Sequence, residues 1–167
     1  MNEEIIAMLR KDMMGEHQAI IQYLAHAYPL GEGELAAEIE AIAREEMRHL
    51  DWLADAIVEL GGDPTMDRDP VDLSPAPVEQ QMLKDVGLEQ QAIDQYRAHL
   101  EKIQDPKIRR LIARIVHDEM VHKGQFASFA EEAAADEAVA AEAAAAPAEP
   151  SAGGEPAAMP AKSLADI

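Results

Sequence analysis

Residues 16–26, EHQAIIQYLAH, recur as residues 89–99, EQQAIDQYRAH, with eight of eleven positions identical. Composition alone would give about one match. The shift is 73 residues (89 − 16 = 73). It also carries Lys11 and Asp12 onto Lys84 and Asp85, and Glu46, Met47 and His49 onto Glu119, Met120 and His122. Two E-x-x-H motifs, EMRH and EMVH, therefore keep the same register. In each half 30 residues separate the first Glu from the second: 16 to 46, and 89 to 119. A repeat of this kind means two copies of one helical hairpin.

The local sequence agrees with that reading. Ala, Glu, Leu, Ile, Met and Gln dominate, and β-branched or aromatic runs are missing, so an all-α chain is predicted. A first helix over about 3–27 carries Ile5, Met8, Leu9, Met13, Ile20 and Leu24 at 3–4 spacing and stops before YPLGEG. A second spans about 34–60 and ends at Gly61-Gly62. A third spans about 77–103. A fourth starts at Pro106, a residue suited to the first helical position, and runs past Phe129.

Between the second and third helices lie 16 residues, 61–76, with three prolines. Extended, they reach about 50 Å, whereas a 26-residue helix is about 39 Å long. The link can travel the length of a bundle, letting helices two and three run parallel; an up-down bundle would need only a few residues there. The fold predicted is a four-helix bundle of two hairpins with a long crossover. Residues 1–133 form this bundle, and 134–167 are an Ala/Pro/Glu-rich tail, a flexible linker from Pro147 onward.

Glu16 and Glu89 lie about as far before their turns as Glu46 and Glu119 lie after them. In antiparallel hairpins all four therefore sit at one height, about 20 Å from the turns. Residues three apart share a helix face, so Glu46 points with His49 and Glu119 with His122. Four carboxylates and two imidazoles then converge. With no Cys in the chain, the donors are oxygen and imidazole, which suit Fe or Mn rather than structural zinc. Four carboxylates balance two divalent ions, and six ionisable groups would be untenable in a core without cations. Di-iron carboxylate bundles use this ligand set: a Glu from each of two helices and a Glu-x-x-His from each of the others.

GEHQAIIQYLAHA and EEMRHLDWLADAIVELGGDP resemble the first- and second-helix patterns of the ferritin-like superfamily, bacterioferritin most closely. The resemblance covers about 1–130. It implies a ferroxidase oxidising Fe(II) with O2 or peroxide for iron storage, in a homo-oligomer built as a shell or from dimers. It further implies Glu16 and His49 as terminal ligands of one iron, Glu89 and His122 of the other, and Glu46 and Glu119 as bridges. Tyr23 matches a family Tyr beside the centre, supplying a hydrogen bond or an electron; a merely buried, satisfied phenol is the plainer alternative. Met47 stands where bacterioferritins hold the axial Met of a haem; a Met packed in a helix interface is the alternative. His17, His26, His99 and His117 read as surface or hydrogen-bonded core residues, with a packing role for the repeat mates His26 and His99.

Two further functions fit the same residues. One is a rubrerythrin-like peroxide reductase fed by an external electron donor. The other is cargo of an encapsulin shell, because the terminal KSLADI loosely resembles shell-loading peptides of ferritin-like cargo. The net charge of −19 repels nucleic acid and anionic membranes. The sequence starts without a basic segment and apolar run of the secretory kind, and has no apolar stretch of about 20 residues. A cytoplasmic protein is expected, free or inside a protein nanocompartment.

Overall fold

The computed structural model describes residues 2–145. Four helices account for most of them: α1 (Asn2–Ala27), α2 (Glu34–Glu59), α3 (Val78–Lys102) and α4 (Pro106–Ala145). A 3-10 turn, Tyr28–Leu30, joins α1 to α2. The bounds lie within a residue or so of the predicted ones. The fourth helix continues through the Ala/Glu-rich stretch to Ala145, because Ala and Glu are strong helix formers. The linker from Pro147 and the KSLADI motif lie outside the described residues.

Helix ends follow from local chemistry. Asp105 Oδ1 accepts the backbone N–H groups of Lys107 (2.8 Å) and Ile108 (3.0 Å), so it caps α4 just before Pro106. Past the end of α2, Gly61 takes φ +86°, and the N–H groups of Gly61 and Gly62 return to the carbonyls of Val58 and Ile57.

The link behaves as a crossover. Arg10 Nε donates to the Asp63 carbonyl, Asp69 N–H to the Met14 carbonyl, and the Gln22 amide pairs with both the N–H and the C=O of Asp72. The link thus ascends beside α1 from its start towards its end. Cross-pairs His99–Asp12 and His26–Asp85 make α1 and α3 antiparallel, so α2 and α3 run parallel, as the link length required.

Apolar side chains fill the two ends of the bundle. Leu9, Met13, Leu53, Ile57, Ile112 and Ile115 are fully buried at one end; Ile39, Ala43, Met82 and Phe126 are fully buried at the other. Each of the Leu, Ile, Met and Phe side chains contributes roughly 1.5–3 kcal/mol on burial. These two layers hold the helices in register and enclose a charged middle layer.

Candidate metal centre

That middle layer contains the six residues singled out by the repeat. Glu16 comes from α1, Glu46 and His49 from α2, Glu89 from α3, and Glu119 and His122 from α4. All six are at least 96 % buried. They form two overlapping groups of potential metal ligands: Glu16, Glu46, His49 and Glu119; and Glu46, Glu89, Glu119 and His122. Within each group one ligand atom per residue lies within 4.8 Å of the others. Glu46 and Glu119 belong to both.

Both imidazoles face inward through Nδ1. His49 Nδ1 is 2.8 Å from Glu46 and 3.0 Å from Glu119; His122 Nδ1 is 2.9 Å from Glu46 and 3.2 Å from Glu119. One ring N–H cannot serve several carboxylates. Accordingly Glu46 Oε1 and Glu119 Oε1 are buried with no well-directed hydrogen bond, although His122 Nδ1 and His49 Nδ1 lie 2.9 and 3.0 Å from them. Two such carboxylate oxygens, one on each shared residue, fit a centre completed by cations.

Electrostatics carry the same message. Burial, reinforced by Glu119 and Glu46, pushes the Glu16 carboxyl well above its usual range. Burial and the same two neighbours do so for Glu89. For Glu119 burial acts upward, but hydrogen bonds from His122 and His49 outweigh it and hold the group down at about 2. For His122 burial acts downward, but Glu119 and Glu46 outweigh it and raise the imidazole to about 11; His49 is raised for the same reason. The cluster holds protons as substitutes for cations.

Around this core tyrosine and histidine side chains of each half bond to carboxylates of the other. The Tyr23 hydroxyl donates to Glu89 Oε1 at 2.6 Å, and the Tyr96 hydroxyl donates to Glu16 Oε1. Both phenols are raised in pKa, first by burial and then by the adjacent carboxylates, so they stay protonated donors. One turn further out, His26 Nδ1 meets Asp85 Oδ2 at 2.7 Å and His99 Nδ1 meets Asp12 at 2.9 Å. The α1–α3 seam is therefore a ladder of four crossed polar rungs: Asp12–His99, Glu16–Tyr96, Tyr23–Glu89 and His26–Asp85. His26 and His99 do have the packing role expected. A cavity of about 160 Å³ opens in this seam, and Asp12, Glu16, Glu89, Gln95, Tyr96 and the link residue Asp69 contribute to its wall.

Met47 is 43 % exposed on α2, and its repeat mate Met120 is 53 % exposed on α4. Neither fills the core of this chain. His17 is half-buried and reaches the Asp67 carbonyl at 3.4 Å, while His117 is exposed. Sequence reasoning did not single out Glu45 and Asp118, which face the outer nitrogens of His122 and His49. His122 Nε2 donates to Glu45 at 2.8 Å, and His49 Nε2 lies 3.5 Å from Asp118. The signal was present, since 45 + 73 = 118, but an acidic residue beside a Glu in a Glu-rich helix does not stand out.

Residues 6–135 match the ferritin-like domain, well over half of the chain. The chain belongs to the ferritin-like family. Among its ferritin-like relatives, the bacterioferritin of Desulfovibrio desulfuricans is 34 % identical over 125 residues, covering 71 % of this chain and 70 % of that protein. A crystal structure of the D. desulfuricans bacterioferritin, described as showing its diiron site in different catalytic states, superposes with a TM-score of 0.78. It is 30 % identical, over 92 % of this chain and 96 % of that one. Mycobacterium tuberculosis bacterioferritin BfrA gives a TM-score of 0.71 at 25 % identity, over 75 % of this chain and 83 % of that one. The four-helix bundle deduced from the repeat is thus a ferritin-like one.

Proposed function

We propose that this ferritin-like chain oxidises Fe(II) and serves iron storage. The observation that carries the proposal is the pair of overlapping ligand groups sharing Glu46 and Glu119, whose Oε1 atoms are buried with only a shared imidazole Nδ1 near each. Glu16 and His49 would be terminal ligands at one position, Glu89 and His122 at the other, with Glu46 and Glu119 bridging. Two Fe(II) ions are the substrate, and each gives one electron to O2 or peroxide.

The residues have distinct tasks. The four carboxylates neutralise two divalent charges in a pocket that excludes bulk water. Tyr23 and Tyr96 orient the terminal carboxylates through charge-assisted hydrogen bonds, leaving their second oxygens for metal. Glu16 and Glu89, raised by burial, hold protons while the centre is empty and release them when cations arrive. Tyr23 donates its hydroxyl to Glu89 at 2.6 Å, so of the two roles open to it the hydrogen bond is the one its geometry favours.

Residues 1–133 would be the working bundle and 134–167 an appended segment. A homo-oligomer, a haem at Met47 and a cytoplasmic location are what the family resemblance adds to the proposal; an encapsulin shell as partner is an alternative that rests on the terminal KSLADI sequence alone. No helix among the described residues is long and apolar enough to cross a membrane. Mixing metal-free protein with Fe(II) in air tests the main reading. A fast ferric absorbance saturating at two irons per chain, then a retained mineral, is expected. A rate no faster than buffer would overturn it. Peroxide turnover with supplied reductant and no retained iron would favour the rubrerythrin-like reading instead.

A further inference from the structure

The repeat makes the two metal positions formally equivalent, and the ligands and tyrosines keep that equivalence: each position has a terminal Glu bonded by a Tyr of the other half. One layer further out the equivalence fails. The outer nitrogen of each ligand imidazole faces a carboxylate of the other half, yet that carboxylate is Glu45 on α2 and Asp118 on α4. Glu is one methylene longer. Glu45 Oε2 spans the gap to His122 Nε2 in a 2.8 Å hydrogen bond, while its other oxygen takes Arg48 at 2.8 Å. Asp118 Oδ2 stops 3.5 Å short of His49 Nε2 and has the Arg114 guanidinium 3.8 Å from the same oxygen. That guanidinium stacks on Trp52, 4.8 Å from its ring centre, and Trp52 in turn packs 5.6 Å from the His49 ring.

We infer that Glu45 is a positioning residue that makes the Glu89–His122 position the tighter of the two metal sites, and that the shorter Asp118 leaves the Glu16–His49 position the weaker. A carboxylate accepting the outer N–H of a ligand imidazole fixes its tautomer, holds the ring's orientation and makes the metal-facing nitrogen more basic. His122 receives all three effects, and His49 receives them only in part. Loss of such a partner typically costs about 10–100-fold in metal affinity, so the two positions differ by roughly 10-fold.

The inference rests on the reading of the centre as a two-metal site. The full-length, metal-free chain is titrated with Co(II) alone, followed by calorimetry and visible absorption. Two steps of unequal affinity are expected. Asp118→Glu should tighten the weaker step and close the gap. Glu45→Asp should weaken the tighter step about as far as the other. Because both residues lie at the protein–solvent boundary, the variants should keep the parent's melting behaviour. In ¹⁵N spectra of the metal-free chain, the His122 Nε2–H should exchange more slowly than that of His49, and this order should even out in Asp118→Glu. Two equal Co(II) sites in the parent, or an unequal pair that neither swap alters, would overturn this inference and leave the two-metal reading intact. A chain taking up fewer than two Co(II) would overturn both.

Discussion

Glu46 Oε1 and Glu119 Oε1 sit in the centre of the bundle without a well-directed hydrogen bond, and a buried, unpaired carboxylate oxygen costs several kcal/mol unless a cation or proton reaches it. From this follow two expected outcomes for metal counts. Glu46→Ala removes a ligand common to both positions, so bound Fe(II) or Co(II) should fall from two per chain to less than one at micromolar metal. His122→Ala removes a ligand from one position and should leave about one ion bound. Metal analysis after gel filtration checks both, and equal occupancy in parent and variants would contradict the roles assigned. Tyr96→Phe and Tyr23→Phe each free one terminal carboxylate from a charge-assisted bond of about 1.5–3 kcal/mol. Each should weaken metal binding at the position of its partner, Glu16 and Glu89 respectively, in a Co(II) titration.

At the level of elements, the α1–α3 seam is crossed by four polar rungs. The rungs are not equally satisfied. Gln95 donates to Asp12 Oδ1 at 2.8 Å, but its repeat mate Gln22 is taken up by the link residue Asp72 and by His26, so Asp85 Oδ1 has no partner. Burial, only partly offset by His26, raises the Asp85 carboxyl to about 6, against about 3.9 in an unfolded chain. Between those values the folded chain holds a proton that the unfolded chain has lost. The stability from this group is therefore complete below about pH 3.9 and drains away as pH rises through about 6. Asp85→Asn removes that slope: denaturant titrations of the metal-free chain should find the variant gaining on the parent as pH rises from 4 to 6 and level above. The same comparison at Asp12, whose carboxyl burial also raises, reports on the better satisfied rung. Asp105→Ala should cost about 1 kcal/mol by uncapping α4, read from the same denaturation curves.

For the whole molecule, folding and metal binding are one balance. Six ionisable groups confined between two apolar layers hold protons in place of cations, and at the proposed centre two divalent cations would displace those protons and balance the four carboxylates. A site filled at 100-fold excess over Kd adds about 2.7 kcal/mol. The Tm of the metal-loaded chain should therefore exceed that of the metal-free chain by several degrees, and Glu46→Ala should lose most of that difference in calorimetric scans. Removing residues 147–167 should leave the rate of Fe(II) oxidation unchanged, since the ligands all lie within the bundle. If the encapsulin reading holds, the same truncation should abolish co-purification with a shell.

The sequence by itself determined the bundle, its crossover and the six central residues. The reason is that a 73-residue repeat, a helical period and two turn positions fix which side chains share a face and a height. It did not determine which side chain would meet which. That Tyr23, His26, Tyr96 and His99 bind the other half's carboxylates depends on α3 lying antiparallel to α1, a matter of packing between distant segments. That Gln22 abandons Asp85 depends on the link crossing there. Whether Glu45 or Asp118 reaches its imidazole is a matter of one methylene against a fixed gap between α2 and α4, and only the assembled helices set that gap.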